Sequence, residues 1–251
     1  MASVVSGLSP NQGPTAGGNT VTISGTGFTS ATVVKFGTAS ASFTVDSNMQ
    51  ITATAPAGAA APVSVVVTTP SGSSNPVPYF YVAAPIVSEI DPTLGPVAGG
   101  NTVTITGFNL ILSNAVNFDL NPATNITVLS DNQITADAPG GTGTVTVTVT
   151  TPGGTSLPAQ GNAYYDYLEI PSISSLIPNE GPAFGGTNVA IAGSDLTYTD
   201  EVRFGATHAS FAAVSDTLVV ATAPAGTPGT VTVTVHTPGG DSNGLPYTYQ
   251  P

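Results

Sequence analysis

The 251-residue chain contains no cysteine, no tryptophan and only two basic side chains, and each absence removes a class of chemistry. Without cysteine there is no disulfide, no thiolate zinc site and no Cys nucleophile, although the redox compartment stays open. Lys35 and Arg203 face fourteen Asp and Glu. A chain with so few cations cannot neutralise phosphates and release their counterions, which excludes nucleic acid as a partner. The same shortage argues against electrostatic attachment to anionic membranes. No apolar run approaches the ~20 residues of a spanning helix, so membrane insertion is not expected. Met1-Ala-Ser-Val-Val lacks the charged start and apolar core of a secretory signal. No signal peptide is visible, and the expectation is either a leader replaced by an initiator Met or a native chain that reaches its site by another route.

Charge of both signs is scarce. Charged residues make up 6% of the chain, against roughly 25% in an ordinary soluble protein, so solubility rests on Thr, Ser, Asn and the backbone. The charge is also uneven: residues 1–84 hold only Lys35 and Asp46, whereas residues 85–168 and 169–251 each carry a net charge of −6. A neutral first third could be the end that docks on a partner; drift on a solvated surface is the simpler account.

What the chain does have is a threefold repeat. Pro10-Asn-Gln-Gly13-Pro14-Thr-Ala-Gly17-Gly18-Asn-Thr-Val21-Thr-Ile23-Ser-Gly25 returns from Pro92 to Gly107 and again from Pro178 to Gly193. Eleven residues separate the closing glycine (Gly25, Gly107, Gly193) from a phenylalanine (Phe36, Phe118, Phe204) in every copy. An Ala-Pro pair follows (Pro56, Pro139, Pro224), then a proline that closes a valine strand (Pro70, Pro152, Pro238), then alternating tyrosines: Tyr79 and Tyr81, Tyr165 and Tyr167, Tyr247 and Tyr249. A period of roughly 80 residues suits a small domain rather than a solenoid unit. The boundaries read as 1–84, 85–168 and 169–251.

The pattern is strand-like throughout. Thr144-Val145-Thr-Val147-Thr-Val149-Thr and its counterpart Thr230 to His236 alternate with a period of two, valines facing a core and threonines facing water. About seven short strands per copy, with turn signals every ten residues or so, predict an all-β protein of three tandem immunoglobulin-like β-sandwich domains. The tyrosine strand is expected to supply each core's large residues. From Tyr81 to Pro92 and from Tyr167 to Pro178 the spacing is again eleven. A constant connector with Pro85 or Pro171 inside predicts one repeated joint geometry and an elongated, semi-rigid rod on the order of 100 Å long.

Few residues carry candidate chemistry. His208 and His236 sit in no nucleophile motif, and His236 occupies an outward strand position that favours a surface role. Asp195, Asp200 and Glu201 form the densest acidic group, and Glu89 and Asp91 lie at the first junction, where calcium could stiffen an array. No Asp-x-Asp-x-Asp loop supplies the six to eight oxygens calcium needs, which favours solvated acids. The Gly-Gly turns precede strands and lack a lysine, so they are structural rather than phosphate-binding. Asn125-Ile-Thr127 is a glycosylation sequon, meaningful only in a suitable host. Between Pro152 and Tyr167 the middle copy has fifteen residues where the others have eleven, an insertion of four within Gly153 to Asn162, where a binding loop or neutral variation could lie. No catalytic, cofactor or metal residue is assigned.

The block Pro-x-x-Gly-Pro-x-x-Gly-Gly-x-x-Val-x-Ile-x-Gly, followed by Phe36-Gly37 and Phe204-Gly205, resembles the IPT/TIG domain in three copies that cover essentially the whole chain. The second copy departs at Asn117-Phe118-Asp119, where a local difference in the turn is expected. The resemblance implies an Ig-like fold more than an activity; such domains occur in transcription factors, receptor ectodomains, bacterial surface proteins and beside carbohydrate-active catalytic domains. The DNA-contacting members use basic loops, which this chain lacks. The expectation is therefore a non-catalytic structural or adhesive rod, without cofactor, on the outside of a bacterial cell or phage-like particle, the missing signal tilting toward the particle. A protein or surface glycan, or self-association through poorly guarded edge strands, would be the partner. The alternative is a carbohydrate-binding or accessory fragment of a polysaccharide-degrading enzyme.

Overall fold

The computed structural model describes residues 3–157 and 163–251, and among them there is no helix. The first repeat folds as β1 (Val4–Ser9), β2 (Gln12–Pro14), β3 (Thr20–Thr26), β4 (Val33–Phe36), β5 (Ala39–Ser40), β6 (Ser42–Ser47), β7 (Gln50–Thr54), β8 (Pro62–Thr69), β9 (Gly72–Ser73) and β10 (Val77–Val82). One sheet runs β1-β3-β7-β6; the other runs β2-β10-β8-β4-β5, with β9 paired to β8. Neighbours are antiparallel except β2, which lies parallel to β10. Both sheets recur in the same order over 86–168 and 172–250. The chain is thus three tandem Ig-like sandwiches, as the spacing of the markers predicts.

Alternation places the core. In β3, Val21 and Ile23 are fully buried while Thr20 and Ser24 are exposed, and β8 buries Val65 and Val67. Fully burying such a side chain contributes about 1.5–3 kcal/mol, and each repeat closes its own hydrophobic cluster. The tyrosine strand fills that cluster with aromatic rings. Phe36 meets Tyr79 edge-on at 5.0 Å and Tyr79 meets Tyr81 at 5.1 Å, and the same ladder forms from Phe118, Tyr165 and Tyr167 and from Phe204, Tyr247 and Tyr249. The marker proline gains a role here: Tyr81, Tyr167 and Tyr249 donate their hydroxyls to the carbonyls of Pro56, Pro139 and Pro224. Burial raises the pKa of all three hydroxyls, Tyr167 to about 12.

The glycine pair before β3 has the conformation its position demands. Gly17 and Gly18 adopt φ of 68° and 86°, and a Cβ on Gly17 would stand 2.6 Å from the Ala55 carbonyl oxygen. Only glycine tolerates both conditions.

The middle repeat corrects one expectation. Asp119, standing where Gly37 and Gly205 stand, adopts φ of 50° against their 62° and 63°, so the turn is retained. Its carboxylate accepts from the Thr146 backbone N–H at 2.8 Å and from the Thr146 hydroxyl at 2.7 Å, bonds that hold its pKa below the ordinary value. Asp visits the left-handed region more readily than most residues, and these bonds fix it there.

Candidate functional site

Two places gather the polar side chains singled out by sequence. The first is the outer face of the third domain. Glu201 and Arg203 alternate outward on the strand Glu201–Phe204, which pairs His208 opposite Arg203 on one side and His236 opposite Glu201 on the other. Arg203 Nε donates to Glu201 Oε1 at 2.7 Å, His208 Nδ1 contacts the same oxygen, and His236 Nδ1 lies 2.6 Å from Asp200 Oδ1. The hydrogen bond from Arg203 lowers the Glu201 pKa and raises that of Arg203. At the matching positions the first domain has Val33, Lys35, Ser40 and Thr68 and the second has Ala115, Asn117, Pro122 and Thr150, so this charged face is peculiar to the third domain.

The second place is the joint between domains. The carbonyl of Ala83, in the first connector, packs against Gly153 of the second domain, so closely that a Cβ on Gly153 would collide with it. The carbonyl of Glu169, in the second connector, packs in the same way against Gly239 of the third domain. Each glycine sits in a Pro-Gly-Gly turn, and its N–H donates to a buried threonine hydroxyl two residues earlier: Thr151 at 3.0 Å and Thr237 at 3.1 Å. One backbone contact is therefore used at both joints. At the second joint Leu168, Glu169, Asp195, Thr197, Tyr198, Asp216 and Thr237 line a cleft of about 90 Å³. Within it, the Thr197 hydroxyl donates to Asp216 Oδ1 at 2.9 Å.

The structure separates the acidic residues that lie close in sequence. Asp195 lines the cleft, Asp200 faces His236, and Glu201 faces Arg203 and His208. Glu89 and Asp91 are exposed on the strand Ile86–Asp91. Among the described residues no group of three or more His, Asp or Glu is placed to hold a metal ion. Asn125, with φ of 50°, donates its side-chain amide to Asp137 Oδ2 at 2.7 Å, which ties down the sequon's amide nitrogen. The loop that holds the middle repeat's insertion, Gly153 to Asn162, includes residues 158–162, outside the described residues, while its strand Gly154–Thr155 has counterparts in both other repeats.

Residues 3–81, 85–165 and 171–250 each match the model of the IPT/TIG domain. The chain belongs to the IPT/TIG family. Among curated proteins, human Fibrocystin-L is 30% identical over 197 residues, covering 76% of this chain and 5% of Fibrocystin-L. Among solved structures, the Plexin A4 extracellular region aligns with 89% of this chain and 21% of its own length, at a TM-score of 0.47 and 23% identity. The Bacteroides ovatus mixed-linkage glucan utilization locus SGBP-B, solved with a mixed-linkage heptasaccharide, aligns with 96% of this chain and 65% of its own, at a TM-score of 0.31 and 17% identity. The three IPT/TIG domains thus span a small part of the curated relative and of the plexin structure. None of the described residues forms a helix long and apolar enough to cross a membrane.

Proposed function

We propose that the chain is a non-catalytic structural or adhesive rod, carried on the exterior of a bacterial cell or phage-like particle, where it serves as spacer, decoration or protein- or glycan-binding module. The observation that carries this reading is the repeated joint: Ala83 on Gly153 and Glu169 on Gly239 set successive domains by the same backbone contact. An array whose joints share this contact stays extended and keeps its ends apart. The polar groups of the third domain's outer face form exposed pairs with one another, the arrangement of a solvated surface rather than of acid–base machinery. Solution scattering tests the reading. A maximum dimension on the order of 100 Å, from strands rising ~3.3 Å per residue plus their loops, is expected; three freely tumbling domains would remove it.

A second reading, a carbohydrate-binding accessory module, has Tyr198 in its favour. The residue is 47% exposed and shares the cleft with Glu169, Asp195 and Asp216, an aromatic side chain beside hydroxyl-accepting carboxylates. Saturable binding to one polysaccharide on a glycan array, lost in Tyr198→Ala, is the outcome that would favour it over the spacer.

A further inference from the structure

The two joints share their backbone contact and differ in a few side chains, and one difference changes what the joint can do. At the first, Asn109 adopts φ of 59° and donates from Nδ2 to the connector carbonyl of Ala84 at 3.0 Å. At the second, Asp195 stands at the matching position with the same φ of 59°, and the matching connector residue is Ile170. A carboxylate has no hydrogen to give, so the side-chain clamp of the first joint cannot form at the second. The surroundings add to the contrast. Glu169 and Asp216 line the same cleft as Asp195, with no cation among the lining residues. Their counterparts at the first joint are Ala83, which is neutral, and Asp131, a hydrogen-bonded carboxylate like Asp216, so the charges the second joint adds are Glu169 and Asp195.

We propose that the first joint is clamped and the second is an electrostatic hinge, which keeps the Gly239 contact but lacks the side-chain clamp and sets the connector's Glu169 beside Asp195 and Asp216 of the third domain. This goes beyond the spacer reading, because it makes the third domain, with its charged outer face, steerable relative to a fixed pair formed by the first two. Repulsion between exposed charges is screened within about 10 Å at 0.1 M salt, so the hinge narrows its range as ionic strength rises.

The absence of cysteine makes the test direct, since introduced thiols are labelled uniquely. Spin labels at Ser42→Cys with Thr124→Cys span the first joint, and Thr124→Cys with Ser210→Cys span the second; all three positions are exposed. At low salt the second distance distribution is expected to be broader than the first and to narrow as salt is added. Asp195→Asn should reduce it to the width of the first, and Asn109→Asp should broaden the first. Neither residue is buried, and Asn and Asp both tolerate this φ, so the fold survives either exchange, as an unchanged thermal midpoint would verify. Equal widths at the two joints, or a second distribution indifferent to Asp195→Asn, would overturn the hinge. A first distribution indifferent to Asn109→Asp would overturn the clamp.

Discussion

Tyr247 keeps its hydroxyl buried beside Thr187 with no hydrogen-bond partner among the described residues, whereas Tyr79 and Tyr165 donate theirs to Asn19 and Asn101 at 3.0 and 2.7 Å. The ring ladder is the same in all three domains, so the difference isolates one hydrogen bond. A buried polar group left unpaired costs about 1–3 kcal/mol, while a formed hydrogen bond contributes about 1 kcal/mol net. Tyr247→Phe is therefore expected to leave the third domain as stable as before or slightly more so. Tyr165→Phe, which strips Asn101 of its partner, should cost the second domain about 1–2 kcal/mol by the same reasoning. Native-state hydrogen exchange resolved by domain would read both changes, and equal losses in the two domains would contradict the account.

Acid should weaken the second domain through Asp119. Its pKa is lowered in the folded state by the two bonds from Thr146. The stabilisation is therefore present above the unfolded value, ordinarily 3.8, and is lost as pH falls through the lower folded value. Urea unfolding between pH 5 and pH 2 should show declining stability, with a shallower decline in Asp119→Asn. An unchanged slope in that variant would remove Asp119 as the cause.

Alkali acts on the opposite side of the ledger of charge. Burial raises the Tyr167 hydroxyl from 10.0 to about 12, with Tyr165 and Asp119 adding to the shift. The unfolded chain releases this proton first, so stability falls as pH climbs from 10 toward 12. Spectrophotometric titration should show a cooperative step above the ordinary tyrosine value, released by Tyr81, Tyr167 and Tyr249. A single unshifted transition for all eight tyrosines would refute this.

Trypsin should find the folded chain a poor substrate. Lys35 and Arg203, its only possible sites, lie within strands that are paired on both sides. Cleavage then requires local opening of the sandwich rather than access to a loop. Under native conditions the intact band should persist for hours, and fragments ending at Lys35 or Arg203 should appear only with denaturant.

The sandwich was legible in the sequence because its determinants are periodic: Val145, Val147 and Val149 alternate with threonines, and Gly17-Gly18 announces a left-handed turn that glycine adopts at no steric cost. The tyrosine ladder followed from two residues spaced by two in each repeat. Other features carry no local signature. The two-residue strands β5 and β9 are too short for any period. Asp119 conceals a left-handed turn because the bonds that allow it come from Thr146, on another strand. The second joint was the hardest to foresee, since Glu169, Asp195 and Asp216 are far apart in sequence and meet only when two loops of the third domain fold against the connector. Gly153 and Gly239 look like ordinary turn glycines until a connector carbonyl is found resting on them.

That resting contact reads only main-chain atoms on one side and a missing side chain on the other. Ala83 and Glu169 differ in size, polarity and charge, yet both present the same carbonyl to the same kind of turn. A coupling of this kind asks of its neighbour only the glycine, which the second and third repeats carry where the first has Ser71, so a gene that duplicates the second or third repeat unit would still encode a properly jointed chain. Reach can then change by whole domains without any compensating substitution, leaving each copy's surface free to diverge.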